Sequence, residues 1–242
     1  MKVMVMHKQS ASEEADIHPS PEFMKSMGSL IHDAVEAGVF RMGEGLRSSR
    51  HRTRVIFKDG ERTLQNGPYT GGNELIAGFA LLKVDSADEA VEHVSRIGAV
   101  LGDAEFEVGA VCEPWDLGLA PKPDGLKKVR LLSLHKATPA FERGSAPSAD
   151  VITRVGGVMD DLKEKGVLQA AGALQPSSKA KRVRYHAGKR ISVVDGPFAE
   201  SKELIAGFSM FELASMDEAL KWTDRFGGLF PEVEVDIRPL PA

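Results

Sequence analysis

Cysteine is almost absent from this chain of 242 residues, because Cys112 is the single one. No disulfide can form within the chain, which fits a reducing compartment. Long apolar runs are also missing. No stretch reaches the roughly 18 residues that a membrane-spanning helix needs, and segment 1–7 turns polar too soon for a signal peptide. The sequence therefore predicts a cytoplasmic protein with no membrane partner.

The motifs of the common metal and nucleotide sites are absent as well. The sequence contains no Cys-x-x-Cys, no His-x-x-x-His and no Gly-x-Gly-x-x-Gly. We predict neither a metal site nor a cofactor, so the hypotheses below rely on side-chain chemistry alone.

Concentrated positive charge is also missing. The 31 Lys and Arg residues are outnumbered by 35 Asp and Glu residues, and the formal net charge is -4. A nucleic-acid surface needs clustered cations. The strongest basic cluster, at 179–184, and its counterpart at 50–54 are typical of a solvated edge strand, whose Lys and Arg residues discourage aggregation. We predict no nucleic-acid partner.

An internal repeat is the main feature that the chain does contain. Glu-Leu-Ile-Ala-Gly-Phe occurs at 74–79 and again at 203–208, and the His-Lys pair at 7–8 returns at 135–136. These matches indicate a duplication. We divide the chain into a first repeat at 1–113, a linker rich in Pro and Gly at 114–126, and a second repeat at 127–242.

Each repeat shows the same series of patterns. A short alternating strand comes first, then a helix capped by Ser20 or Ser148, a strand, a hairpin, a long apolar strand, a helix capped by Ser86 or Ser215, and a last strand. This order predicts an α+β fold made of two ferredoxin-like repeats. We expect the bare faces of their sheets to pack as a pseudo-dimer within one chain.

The second repeat carries the motif Asp-Gly-Pro-Phe at 195–198, followed by Glu200, Lys202 and Glu203. With Gly166-Val167 upstream, this segment resembles the YCII-related family and, within it, the DGPF branch. The resemblance implies the dimeric α+β barrel fold. It also implies a catalytic pair of His and Asp, with Asp195 as the candidate acid.

The candidate site is built around this motif. An aspartate can act as a general base if burial raises its pKa or a histidine shares its proton, so Asp195 and His135 are the candidate catalytic residues. A packing or surface role is the alternative for His135, as it is for His7. Aspartate before Gly-Pro is equally a common turn former, and that interpretation stays open. The residues that could contact a substrate or ligand, or instead serve as surface ion pairs and turn braces, are Arg190, Glu203, His7, Asn66 and Glu74.

The first repeat departs from the motif at its leading position, where Asn66 replaces Asp195. The duplication therefore predicts one competent site and one degenerate site. The first functional hypothesis is a cofactor-independent enzyme that performs proton transfer, isomerisation or elimination on an unknown small molecule. The alternative is a non-catalytic protein that binds a small ligand or docks a partner, present as a monomeric pseudo-dimer or a homodimer.

Overall fold

The computed structural model describes residues 1–241 and contains two similar series of strands and helices. The first repeat consists of β1 (Lys2–Lys8), α1 (Ala11–Glu14), α2 (Pro21–Glu36), β2 (Phe40–Gly45), β3 (Arg52–Lys58), β4 (Glu61–Asn66), β5 (Ile76–Val84), α3 (Ala87–Leu101) and β6 (Ala104–Ala110). The second consists of β7 (Val129–Lys136), α4 (Pro139–Glu142), α5 (Ala149–Glu164), β8 (Leu168–Ala173), β9 (Lys181–His186), β10 (Lys189–Asp195), β11 (Ile205–Glu212), α6 (Met216–Gly227) and β12 (Glu232–Pro239). A short 3-10 turn precedes β3 at Ser49–His51 and β9 at Ser177–Lys179.

The helix boundaries follow the capping residues that the sequence indicates. The hydroxyls of Ser20, Ser86, Ser148 and Ser215 each accept a hydrogen bond from the backbone N–H of the third residue of the helix they precede. The order of elements predicted for each repeat is confirmed. The sequence patterns missed the one-turn helices α1 and α4 and both 3-10 turns, which are too short to show a periodicity.

The twelve strands form two antiparallel six-stranded sheets, and each sheet combines strands of both repeats. One has the order β10-β9-β12-β1-β11-β2 and the other β4-β3-β6-β7-β5-β8. In the first sheet β1 lies between β11 and β12 of the other repeat, with register Met6 opposite Phe208 on one side and Asp236 on the other. The mixed α+β fold is as predicted, but the strands β1 and β2 are exchanged for β7 and β8.

This exchange gives compact units that do not coincide with the sequence repeats. The first unit contains residues 1–45 and the residues from 174 onward, and the second contains 46–173. The predicted linker at 114–126 joins β6 to β7, which are neighbouring antiparallel strands of one sheet. It therefore acts as a long hairpin connection within the second unit.

Each unit has its own hydrophobic core between one face of its sheet and its helices. In the first unit α6 packs on alternate residues of β1, β9 and β12, including Val5, Val183 and Val235. In the second unit α3 and α5 cover the equivalent face of β3, β5 and β6, where Val55, Leu82 and Phe106 are buried. The opposite face of each sheet carries buried charged residues, among them Lys8 and Asp236 in the first unit and Lys136 and Glu107 in the second.

The prediction of solvated edge strands for the two basic segments is wrong. β9 and β3 are each second from the edge, because the hairpin strands β10 and β4 lie outside them. Arg182, Arg52 and Arg54 consequently point from inner strands to acidic residues on β12 and β6.

Among the described residues, no helix is long and apolar enough to cross a membrane.

Candidate functional site

The Asp-Gly-Pro-Phe motif folds back on the 3-10 turn in front of β9. A Cβ added at Gly196 would lie 1.7 Å from the carbonyl oxygen of Ser177, so only glycine allows this approach. The next contact is the backbone N–H of Phe198, which donates to Ser177 Oγ at 3.0 Å. The motif is therefore held by its backbone and by a buried aromatic ring.

The degenerate motif of the first repeat repeats this geometry. A Cβ added at Gly67 would lie 1.8 Å from the carbonyl oxygen of Ser49, and the N–H of Tyr69 donates to Ser49 Oγ at 3.2 Å. Both motifs also place an aromatic ring under an arginine. The guanidinium of Arg182 lies 4.3 Å from the ring centre of Phe198, and that of Arg54 lies 4.0 Å from the ring centre of Tyr69.

In the first unit, Arg182 belongs to a buried ionic group that we call the Lys8 cluster (Lys8, Arg182, Ser201, Glu234 and Asp236). Asp236 accepts two hydrogen bonds from Arg182, at 2.7 and 2.9 Å, and lies 3.0 Å from Lys8 Nζ. Lys8 also donates to Ser201 Oγ at 2.7 Å. Burial opposes ionisation of Asp236, yet the charges of Lys8 and Arg182 hold its pKa below its usual range. The cluster joins β1 of one repeat to the motif loop and β12 of the other.

The second unit contains the corresponding Lys136 cluster (Lys136, Arg52, Arg54, Glu74 and Glu107). Lys136 Nζ donates to Glu74, whose carboxylate also accepts from Arg54 at 2.6 Å and from the N–H of Gly72 at 2.7 Å. Glu107 accepts from Arg52 at 2.8 Å. Burial, with the nearby charge of Glu107, raises the pKa of Tyr69. The cluster holds the degenerate motif loop to the end of β7.

His7 forms a histidine–carboxylate pair on the opposite, helix-covered face of β1. Its Nε2 lies 3.2 Å from Glu13 Oε1, while the other Glu13 oxygen accepts from the N–H and the hydroxyl of Ser10, both at 2.7 Å. Burial works against ionisation of Glu13, but these contacts with His7 and Ser10 keep its pKa below the usual value. The imidazole packs against Phe226 and Phe230, with ring centres 5.3 and 5.8 Å away.

His135 stands at the same position of the second repeat but has a different environment. Phe141 occupies the position that corresponds to Glu13, and the imidazole stacks on Phe106 with ring centres 4.7 Å apart. Burial lowers the pKa of His135 to about 4. Of the two repeated histidines, His7 therefore has a carboxylate partner and His135 lies in apolar surroundings.

Both repeats match the model of the same protein domain. The model of the YCII-related domain matches the chain twice, at residues 1–112 and 129–235. This chain belongs to the YCII-related family. Its similarity to an uncharacterized protein of Rhizobium meliloti (strain 1021) is 40% identity over 78 residues, which is 32% of this chain and 62% of that protein.

In this YCII-related protein the residues predicted for the site are distributed over several environments. Asp195 is 76% exposed in its side chain and pairs with Lys181 at 2.5 Å. It belongs to the first compact unit, whereas His135 belongs to the second. Because β1 is exchanged, the repeated histidine that shares a unit with Asp195 is His7.

The environments of the remaining predicted residues also differ between the two repeats. Arg190 pairs with Asp224 at 3.4 Å, and Glu203 is exposed near the partly buried guanidinium of Arg182. Glu74, the repeat counterpart of Glu203, is buried and binds both Lys136 and its own turn. Asn66 is exposed and accepts from Thr53 Oγ1 at 2.9 Å.

Several residues that organise these YCII-related units were missed by the sequence reasoning. Glu13, Arg182 and Asp236 are absent from the predicted set, and Lys8 was noted only as part of the repeated His-Lys pair. The repeated His-Lys pair could have pointed to Lys8, because a lysine directly after a strand histidine faces the opposite side of the sheet. Within residues 1–241 no group of three or more His, Cys, Asp and Glu side chains could hold a metal ion.

The low pKa of His135 predicts an acid-dependent loss of stability. In the unfolded chain a histidine binds its proton near pH 6.5, whereas folded His135 does so at about 4. The unfolded state therefore takes up the proton first, and the free energy of unfolding falls as pH is lowered from 6.5 to 4, by up to about 3 kcal/mol.

This loss is measured by urea unfolding at pH 7 and pH 4.5. His135→Phe keeps the stacked ring and should lose less stability between the two pH values than the wild type. His186→Gln, at an exposed position in the second hairpin, is the control and should behave like the wild type. Equal losses in His135→Phe and the wild type would refute the assignment.

Proposed function

We propose that this protein is a cofactor-independent enzyme that moves a proton on a small organic molecule, with His7 of the first unit as the acid–base group. The observation that carries the proposal is the His7 to Glu13 contact of 3.2 Å in a half-buried setting. Isomerisation and elimination are reactions of this class, because both need one group that takes up a proton and then returns it.

Glu13 suits the role of an orienting acid. It is held by the capping box of α1, in which Ser10 and Glu13 bond each other reciprocally. A fixed carboxylate selects one imidazole tautomer and stabilises the imidazolium that forms during proton transfer. With Nε2 engaged by Glu13, Nδ1 is the atom that would take the substrate proton.

The pairing of Asp195 with His135 has less support. The Asp195 side chain is largely exposed, and its carboxylate is already engaged by Lys181. His135 has Phe141 in place of a carboxylate. We nevertheless include Asp195 as a second acid to be tested, since it lies in the same unit as His7.

Proton abstraction can be tested without knowing the natural substrate. Small ketones, keto acids and lactones are incubated with the protein in deuterated water, and loss of the C–H signal is followed by NMR. We expect exchange on at least one compound class, and a loss of about 100-fold or more in His7→Gln.

The control is His135→Gln, which changes the repeat counterpart of His7 and should retain the exchange activity. Glu13→Gln keeps the shape of the orienting residue and should show an intermediate loss. Full activity in His7→Gln, or a loss confined to His135→Gln, would reject the assignment of His7.

A second candidate is a non-catalytic protein that binds a small ligand, with the motif serving only as a structural turn. The close approach of Gly196 to the Ser177 carbonyl and the hydrogen bond from the Phe198 N–H to Ser177 Oγ support this role for the motif. A ligand retained through purification and seen by native mass spectrometry, with no exchange activity, would favour this candidate.

We further propose that the chain belongs to the DGPF branch, on the strength of residues 195–198, and that it works in the cytoplasm.

A further inference from the structure

The carboxylate at the centre of the Lys8 cluster is hydrogen-bonded through both of its oxygens. Asp236 lies opposite Arg182 across β12 and β9. Its Oδ1 accepts from Arg182 Nε at 2.7 Å, and its Oδ2 accepts from Arg182 Nη2 at 2.9 Å. The ring under this guanidinium is Phe198, which brings no polar atom to the carboxylate. Asp236 and Arg182 therefore satisfy each other directly.

The corresponding carboxylate of the second unit is hydrogen-bonded through one oxygen. Glu107 lies opposite Arg54 across β6 and β3, but its Oε1 accepts from Arg52. Among residues 1–241, neither Glu107 Oε2 nor Arg54 Nε has a hydrogen-bond partner, although both atoms are buried. These two atoms lie 3.9 Å apart, beyond the hydrogen-bond range of about 2.7–3.2 Å. The pair that is joined directly in the first unit is thus separated in the second.

The aromatic ring of the motif differs between the units in the matching way, because Tyr69 stands where the second repeat has Phe198. The Tyr69 hydroxyl oxygen is buried beside Glu107 and makes no hydrogen bond of normal geometry with any described residue. A hydroxyl is therefore present where the carboxylate has an unbonded oxygen, and it is missing where both oxygens are bonded.

We propose that the Lys136 cluster contains a binding site for one ordered water molecule, held by Glu107 Oε2, Tyr69 Oη and Arg54 Nε. The water accepts from the Tyr69 hydroxyl and from the Arg54 N–H, and it donates to Glu107. Three hydrogen bonds are usual for a buried water. Polar groups more than about 3.5 Å apart are commonly bridged in this way.

The charges around this site favour a neutral molecule over an ion. The Glu107 carboxylate repels an anion. Arg54 repels a cation, as does Lys136, whose Nζ lies 3.8 Å from Glu107 Oε2. Water matches two donors and one acceptor because it both accepts and donates. This inference is independent of the proposed enzymatic function.

A crystal structure of the full chain that resolves ordered waters tests the site without any substitution. We expect one water within about 2.5–3.2 Å of Glu107 Oε2, Tyr69 Oη and Arg54 Nε. No water should lie between Arg182 and Asp236, which are the internal control. A direct hydrogen bond from Tyr69 to Glu107 with no water present, or an ion identified there by its anomalous signal, would overturn the proposal.

Removal of the Tyr69 hydroxyl supplies the second measurement. Tyr69→Phe gives the second unit the ring of the first, but the water then loses one of its three partners. We expect the equilibrium constant of unfolding, measured in urea, to rise about tenfold, because a buried polar group left unsatisfied is costly. Thr70→Val removes an exposed hydroxyl from the adjacent residue and should leave this constant unchanged. An unchanged constant in Tyr69→Phe, or equal effects of the two substitutions, would contradict the role of the hydroxyl.

Discussion

Replacing Arg182 by Met is expected to lower the free energy of unfolding by about 3–5 kcal/mol, the usual effect of removing one partner from a buried ion pair. Arg182 donates twice to Asp236 and once to the backbone oxygen of Glu200. Methionine fills part of the same volume but leaves the 2% exposed Asp236 with Lys8 as its one remaining cation in the Lys8 cluster.

The matched control lies two residues along the same strand. Arg184 pairs with Glu234 at 2.7 Å, but its side chain is 62% exposed. Exposed pairs contribute about 0–1 kcal/mol, so Arg184→Met should change stability little. Urea unfolding at pH 7 of both variants measures the difference.

The pH dependence of the Arg182→Met variant gives an independent check. The depressed pKa of Asp236 stabilises the folded state above its ordinary value of 3.8, and this contribution is lost as the pH falls through the folded-state pKa. Without Arg182 the pKa of Asp236 moves up, so the variant should lose its residual stability at a higher pH. Equal destabilisation in both arginine variants would show that the buried ion pair is not the cause.

Replacing Gly196 by Ala is the second change with a large expected effect, a loss of about 3 kcal/mol or more. The added methyl group would meet the backbone oxygen of Ser177 at 1.7 Å. A flexible side chain could move aside, but this carbonyl belongs to the turn that leads into β9. The motif loop must then lift away, which exposes the Phe198 ring and weakens its contact with Arg182.

The control for Gly196→Ala is Gly156→Ala. Gly156 lies inside α5 with open space where a Cβ would be placed. Alanine there should raise stability by about 0.5–1 kcal/mol, because glycine is the poorer helix former. Opposite signs for the two substitutions, measured by thermal and urea unfolding, are the expected result, and a near-neutral Gly196→Ala would contradict the account of the motif.

The contacts of the motif loop with Ser177 give the motif a structural role that its sequence alone left open. Gly196 and Phe198 are required by the packing of the loop on the 3-10 turn, and Gly67 and Tyr69 repeat that packing in the other unit. The leading residue is free to differ, since Asp195 and Asn66 both lie exposed at the end of a hairpin strand. The presence of Asn66 in the first repeat, where the second repeat has Asp195, is therefore compatible with an intact fold.

The duplication and the order of elements could be predicted from the sequence. Serine caps such as Ser20 and Ser86 and the alternation along β1 depend on residues close in the chain, and these local preferences survive in the folded protein. The same patterns predicted the α+β class.

The pairing of the repeats could not be obtained in this way. Strands β1 and β7 carry nearly the same pattern, so either could complete either sheet without changing which residues face the core. Only the folded chain places Lys8 against Asp236, Lys136 against Glu74, and His7 rather than His135 in the unit of Asp195. These contacts join residues more than 60 positions apart, and their geometry depends on which strands are neighbours, which no local pattern encodes.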